Sequence, residues 1–130
     1  MIENLDIYFT CIILGIMLFF SFVVAPITFS SLNEENARLY IRKIFPYYYN
    51  VNLIISFVIL SNYIFLDSFN LNFYLILSIT ILFAFSNFIL MPLINKYRDK
   101  KENKKFKYSH FISVIINFVQ MILLIIILIK

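Results

Sequence analysis

Four apolar runs, residues 7–29, 47–66, 71–94 and 108–129, are separated by short polar stretches. Each holds at least 20 residues, enough at roughly 1.5 Å rise per residue to cross a hydrocarbon core of about 30 Å as a helix. No Asp, Glu, Lys or Arg interrupts any of them. The pattern predicts an all-α, four-helix transmembrane bundle, antiparallel and up-down-up-down, forming a single integral membrane domain over residues 1–130. The first run is longer than the apolar part of a signal peptide. No Lys or Arg precedes it and no small-x-small cleavage site follows, so it is expected to be a retained helix.

The polar stretches set the expected boundaries. The first helix should begin after Asp6 and loosen near Pro26, whose missing N–H frees a carbonyl one turn back. Ser31-Leu32-Asn33-Glu34 matches a capping box, with Ser31 as N-cap and Glu34 at the third position. A short helix should follow to about Ile44, with Ala37, Tyr40, Ile41 and Ile44 on one face and Glu34, Glu35, Arg38 and Arg42 on the other. It is too short and too charged to span, and is expected to lie in the cytoplasmic headgroup layer between spans 1 and 2. Pro46 is expected to restart the chain into the second span. Residues 67–70 make a brief reversal, and the basic stretch 95–107 is long enough for a loop or for extra helical turns at either end; its charge density reads as solvated and mobile. No internal repeat stands out.

Charge then orients the bundle. Ten of the eleven Lys and Arg residues fall in the 30–46 and 95–107 connections, which share a side if all four runs cross. The excess of basic residues places both connections in the cytoplasm and both termini outside it. The same cations suit anionic lipid headgroups. Nucleic acid is not an expected partner, because stacking aromatics are not interleaved with the basic run. Eight of the nine tyrosines fall at or near the ends of the runs and Tyr40 falls on the expected surface helix, as in an aromatic belt. Cys11 is the single cysteine and rules out an internal disulfide.

Candidate chemistry is sparse. Charge-free spans disfavour proton-coupled pumps, voltage sensors and small cation exporters, which need an ionisable group inside the membrane. No phosphate-cradling loop, nucleotide motif or metal-ligand pair is present. What remains is a stripe on the fourth run, His110, Ser113, Asn117 and Gln120. At about 100° per residue these lie within about 80° of arc, so they should face partners rather than acyl chains. The third run offers Thr80, Ala84, Asn87 and Met91, and the second Asn52 and Ser56, with Asn50 nearby. The first offers Cys11, Gly15, Ser21, Ala25 and Thr28, mostly small residues that permit close helix approach. Most of these groups fall toward the cytoplasmic half. They outline a polar pocket of His110, Ser113, Asn117, Asn87, Asn52 and Thr28, with His110 near its mouth. The alternative is that they only hydrogen-bond helix to helix.

Short motifs run through the chain: Gly15 with Ala25-Pro26-x-x-Phe29, Phe45-Pro46-Tyr47-Tyr48, Asn87 with Pro92, and Phe106-x-x-x-His110-x-x-Ser113 with Asn117. On these the chain resembles the transmembrane protein 205-like family, also known as domain of unknown function 4149. The resemblance implies a small four-helix integral membrane protein of uncharacterised biochemical activity. Gly15, Ala25, Pro26, Pro46 and Pro92 are then expected to be structural positions. Ser109 and Phe111 depart from the pattern, which bears on how closely that face packs.

The expected function is a small multi-pass membrane protein without enzymatic activity, acting as a bundle or as an assembly component, as a homo-oligomer or with a membrane partner. A second reading is a transporter or channel subunit moving a small neutral or amphipathic solute through the polar pocket. A third is a haem- or redox-linked enzyme using His110. No cofactor or metal is expected on the first two readings.

Overall fold

The computed structural model describes residues 4–130, and its regular structure is entirely helical among them. Four helices are long and apolar enough to cross a membrane: α1 (Leu5–Ser31), α2 (Glu34–Phe65), α3 (Leu71–Asp99) and α4 (Asn103–Ile129). α1 packs on α2 and α4, and α3 packs on the same two helices. The shared core comes from Ile13 and Met17 of α1, Ile59 of α2, Ile76 and Phe83 of α3, and Leu124 of α4, all fully buried. Outward positions such as Phe57, Ile81, Phe88 and Ile122 are more than half exposed. So much apolar surface requires a lipid solvent.

The helix ends are set by side chains and left-handed turns. Asn33 and Asn70 accept hydrogen bonds from the backbone N–H of Asn36 and Phe73, each filling one unpaired donor of a helix start. The N-cap of α2 is therefore Asn33 and not Ser31. Ser31 instead ends α1, because only Leu32 and Asn33 remain to make the turn. α2 and α3 end alike. Asp67 and Lys101 take φ of 51° and 55°, and the next N–H reaches back to Tyr63 and Tyr97 respectively, a Schellman pattern.

The surface helix expected before Pro46 is not a separate element. α2 runs unbroken through Pro46. The proline is exposed, on the outer face of the helix, so its ring meets no neighbouring helix. The rings of Phe45, Tyr48 and Tyr49 on either side of Pro46 pack together, Phe45 stacked on Tyr49 and edge-on to Tyr48. That packing outweighs the lost bond. Of the two readings of 95–107, extra helical turns at either end are the one the structure has. α3 continues to Asp99 and α4 begins at Asn103, leaving a three-residue turn.

A local repeat, missed in the sequence, becomes plain in the backbone. α1 widens into a π turn over Phe20–Val24 and α3 over Ser86–Leu90. In each, an N–H reaches five residues back, Ala25 to Phe20 and Met91 to Ser86. Pro26 and Pro92 follow directly, and a proline disturbs the turn before it through the missing donor and ring crowding. Phe19, Ser21, Phe22 and Pro26 recur at the same spacing as Phe85, Asn87, Phe88 and Pro92.

Candidate functional site

The expected polar groups divide into those satisfied within their own helix and those that join helices. Thr28, Thr80 and Ser56 each donate to a carbonyl one turn back, those of Val24, Ile76 and Leu53. Asn52 donates to the Tyr48 carbonyl, and its buried side-chain oxygen has no partner. These residues hold local backbone and do not face an open space. Cys11 and Gly15 are exposed, and a Cβ on Gly15 would meet nothing within 4 Å. The expected close approach of helices at Gly15 is therefore absent within the single chain.

The joining groups form two matched seams. Asn117 of α4 donates to the Ser21 hydroxyl of α1 at 3.1 Å and accepts from the Tyr48 hydroxyl of α2 at 2.8 Å. Asn87 of α3 donates to the Asn50 side-chain oxygen of α2 at 2.7 Å. Ser21 and Asn87 occupy equivalent places in the two π turns, so each π turn presents a polar side chain to a neighbouring helix. Deeper in the bundle, buried Gln120 donates to the Ile79 carbonyl.

Beyond Asn117, toward the basic connections, α1 and α4 part. The Ala25–Ser31 segment packs on α2, while the first turns of α4 pack on the end of α3. Between them lies a cavity of about 1110 Å³. Ser21, Asn117 and Tyr48 line its deep end, beside a cluster of stacked rings. Phe20 lies 4.4 Å from Tyr48 and 5.2 Å from Phe45, centroid to centroid, and Tyr49 closes the group. Phe22 and Phe29 form one wall, and Val114 and Phe118 the other. Of the six expected pocket residues, His110, Ser113 and Asn117 line this space; Asn87, Asn52 and Thr28 do not.

The mouth is charged. Arg38 pairs with Glu34. Arg42 makes two bonds to the Asp99 carboxylate, at 2.7 and 2.9 Å, tying α2 to α3. Arg98 lies with its guanidinium 3.6 Å from the centre of the Phe106 ring. That ring is in turn parallel to the His110 imidazole, with centroids 5.8 Å apart. Ser113 bonds only to the His110 carbonyl of its own helix. Among the described residues no group of three or more His, Cys, Asp or Glu is placed to hold a metal ion.

Sequence reasoning missed three members of this site. Tyr48 and Tyr49 were expected in an interfacial belt and are buried, their rings forming the cavity floor. The signal was available in Phe45-Pro46-Tyr47-Tyr48, where aromatic residues on both sides of a proline mark a packed helix face. Arg98 was counted only as topogenic charge, since nothing linear pairs it with Phe106.

Comparison with known proteins adds one result. Residues 9–103 match the family described as Domain of unknown function (DUF4149), and the chain belongs to that family. No curated protein and no solved structure matches the chain.

Proposed function

We propose that this chain is a small multi-pass membrane protein without enzymatic activity that receives an amphipathic molecule in the cavity between α1 and α4. This joins the first of the three readings, a non-enzymatic bundle, to the amphipathic ligand of the second. The cavity carries it: about 1110 Å³ of space is somewhat more than the roughly 300–1,000 Å³ of ordinary ligand clefts, room for a long amphiphile. A bundle held together only for its own sake would fill such space, because close packing is the default of helix interiors. Apolar walls, a polar deep end and a charged mouth are the complement of a molecule with an apolar body and a polar head.

The orientation belongs to the same proposal. The four helices cross the membrane in alternating directions, with the mouth and both basic connections in the cytoplasm and both termini outside. Ten cations on that side support it. So do the pairings of Tyr63 with Asp6 and of Arg42 with Asp99, which join the end of one helix to the start of another. The first three turns of α2, before Pro46, then stand in the headgroup layer as an extension of the span. The narrower likeness to transmembrane protein 205-like proteins is part of the reading too. Its motif residues Phe45, Tyr48, Phe106, His110 and Asn117 gather around one cavity.

The test uses the full chain in vesicles, with Cys11→Ser as background and a water-soluble maleimide. Arg38→Cys should label from one face and Ser68→Cys from the other. Ser113→Cys should label from the Arg38 side and be protected by added lysophospholipid. A Ser113→Cys variant that resists label from both faces, or labels at a rate lysophospholipid never changes, overturns the proposal.

A further inference from the structure

We infer that the cavity selects anionic lipids, taking an acyl chain sideways into the gap between α1 and α4 and holding the headgroup phosphate on Arg98. The inference rests on the amphiphile reading above and names the ligand class.

The gap is lateral as well as end-on. Phe22 and Phe29 on one wall and Phe118 on the other are each about half exposed or more. Both walls thus continue the lipid-facing surface of their helices into the cavity. An acyl chain needs no desolvation to pass from bilayer to such a slot, whereas a water-soluble ligand must cross the charged mouth first.

The charges at the mouth decide which headgroup fits. Two of its four cations are committed: Arg38 to Glu34 and Arg42 to Asp99. Arg98 and Lys101 remain, against the single further carboxylate of Glu35, and neither is in an ion pair among the described residues. Arg98 is held by a ring. With the guanidinium carbon 3.6 Å over the Phe106 ring, its N–H groups make no ion pair among the described residues and remain free to donate. Free guanidinium N–H groups grip a phosphate by two parallel hydrogen bonds. A cation–π hold also fixes the group without neutralising it. Phe106 and His110 stand parallel behind it, so the cation is backed by two stacked rings along α4. The basic turn and helix start beyond it, with Lys100, Lys104 and Lys107, add a positive field that enriches anionic lipids nearby.

The chain lacks tryptophan, so one introduced indole reports a single place. Phe118→Trp puts it in the cavity wall. Phe88→Trp puts it on exposed α3 surface outside the cavity, at the π turn equivalent to the one beside Asn117. Each variant is reconstituted in nanodiscs of phosphatidylglycerol and phosphatidylcholine, with bromine on the acyl chains of one lipid or the other. Brominated phosphatidylglycerol should quench Phe118→Trp about fivefold more effectively than brominated phosphatidylcholine, with no such preference at Phe88→Trp. Arg98→Gln should remove that preference while leaving quenching by phosphatidylcholine intact, which reports a folded cavity. Arg98→Lys should keep part of the preference. Equal quenching of Phe118→Trp by both lipids overturns the anionic selectivity and leaves the amphiphile reading standing. Quenching of Phe118→Trp no greater than that of Phe88→Trp by either lipid overturns both. Loss of the preference on adding inorganic phosphate would assign the cation site to a soluble anion and overturn the lipid assignment.

Discussion

Among the described residues Asn117 is the one side chain that ties three helices together at the deep end of the cavity, so its removal should show what that junction is worth. In Asn117→Ala the Ser21 hydroxyl loses a donor and the Tyr48 hydroxyl loses its acceptor. Hydrogen bonds between membrane helices average about 0.6 kcal/mol and reach about 1.7, so two of them amount to about 1–3 kcal/mol. Tyr48 is only 6% exposed, so its hydroxyl can regain a partner only from the cavity side, which places the loss near the middle of that range. The expected destabilisation is about 2 kcal/mol.

Ser113 lies one turn away on the same stripe but bonds only within its own helix. Ser113→Ala should change stability by less than about 0.5 kcal/mol. The assay is reversible unfolding in mixed micelles, followed by helical ellipticity, on both variants and on the Ser21→Ala and Asn117→Ala cycle. The cycle should return a coupling of about 0.6 kcal/mol or more. If Asn117→Ala proves no weaker than Ser113→Ala, or the coupling is zero, the junction does not exist as described.

Three further outcomes follow from the same geometry. Pro46→Ala restores a donor for the Arg42 carbonyl inside an unbroken helix and should raise stability by about 1–3 kcal/mol in the same unfolding assay. Asn52→Leu removes a fully buried side-chain oxygen that has no partner, and should stabilise by about 1 kcal/mol or more while leaving lipid quenching at Phe118→Trp unchanged. Arg42→Ala breaks a two-bond pair whose side chains are 41% and 60% exposed; the loss should stay under about 1 kcal/mol and vanish when unfolding is repeated at about 1 M salt.

The helices were legible because apolar run length reports membrane crossing directly, and no buried charge complicates it. Boundaries read less well where two signals competed. Pro46 carries a strong local signal to break a helix, but Phe45, Tyr48 and Tyr49 pack around it, and packing is not visible along a line. The Ser31 capping box lost to Asn33 because the turn between α1 and α2 is only two residues long. On the α4 stripe, where 3.6 periodicity sets a face, Asn117 and Gln120 reach other helices, while His110 is exposed. Which of the inward polar groups would reach another helix was beyond that rule: Ser113 on α4, Thr28 on α1 and Ser56 on α2 are small enough to bond carbonyls one turn back on their own helices, and they do. The Arg98–Phe106 contact is set by the tight turn at Lys101, which no composition argument foresees.

The repeat also explains why a cavity opens at one seam and not at the other. α1 and α3 carry the same π turn before the same proline, yet they present different bulk at equivalent places. Where α3 has Asn87 and Met91, α1 has Ser21 and Ala25. Asn87 is long enough to reach Asn50 directly, and the α3 π turn packs on α2 there. Ser21 is too short to meet α4 alone. The contact is made only because Asn117 reaches across to it, and one turn further on Ala25 offers a methyl group where α3 offers a thioether chain. Two small residues a turn apart on α1 thus withhold the volume that would fill the space, and both line it. Proline sets the shape of the helix end, and the side chains at these two positions decide whether that shape encloses space or closes on its neighbour.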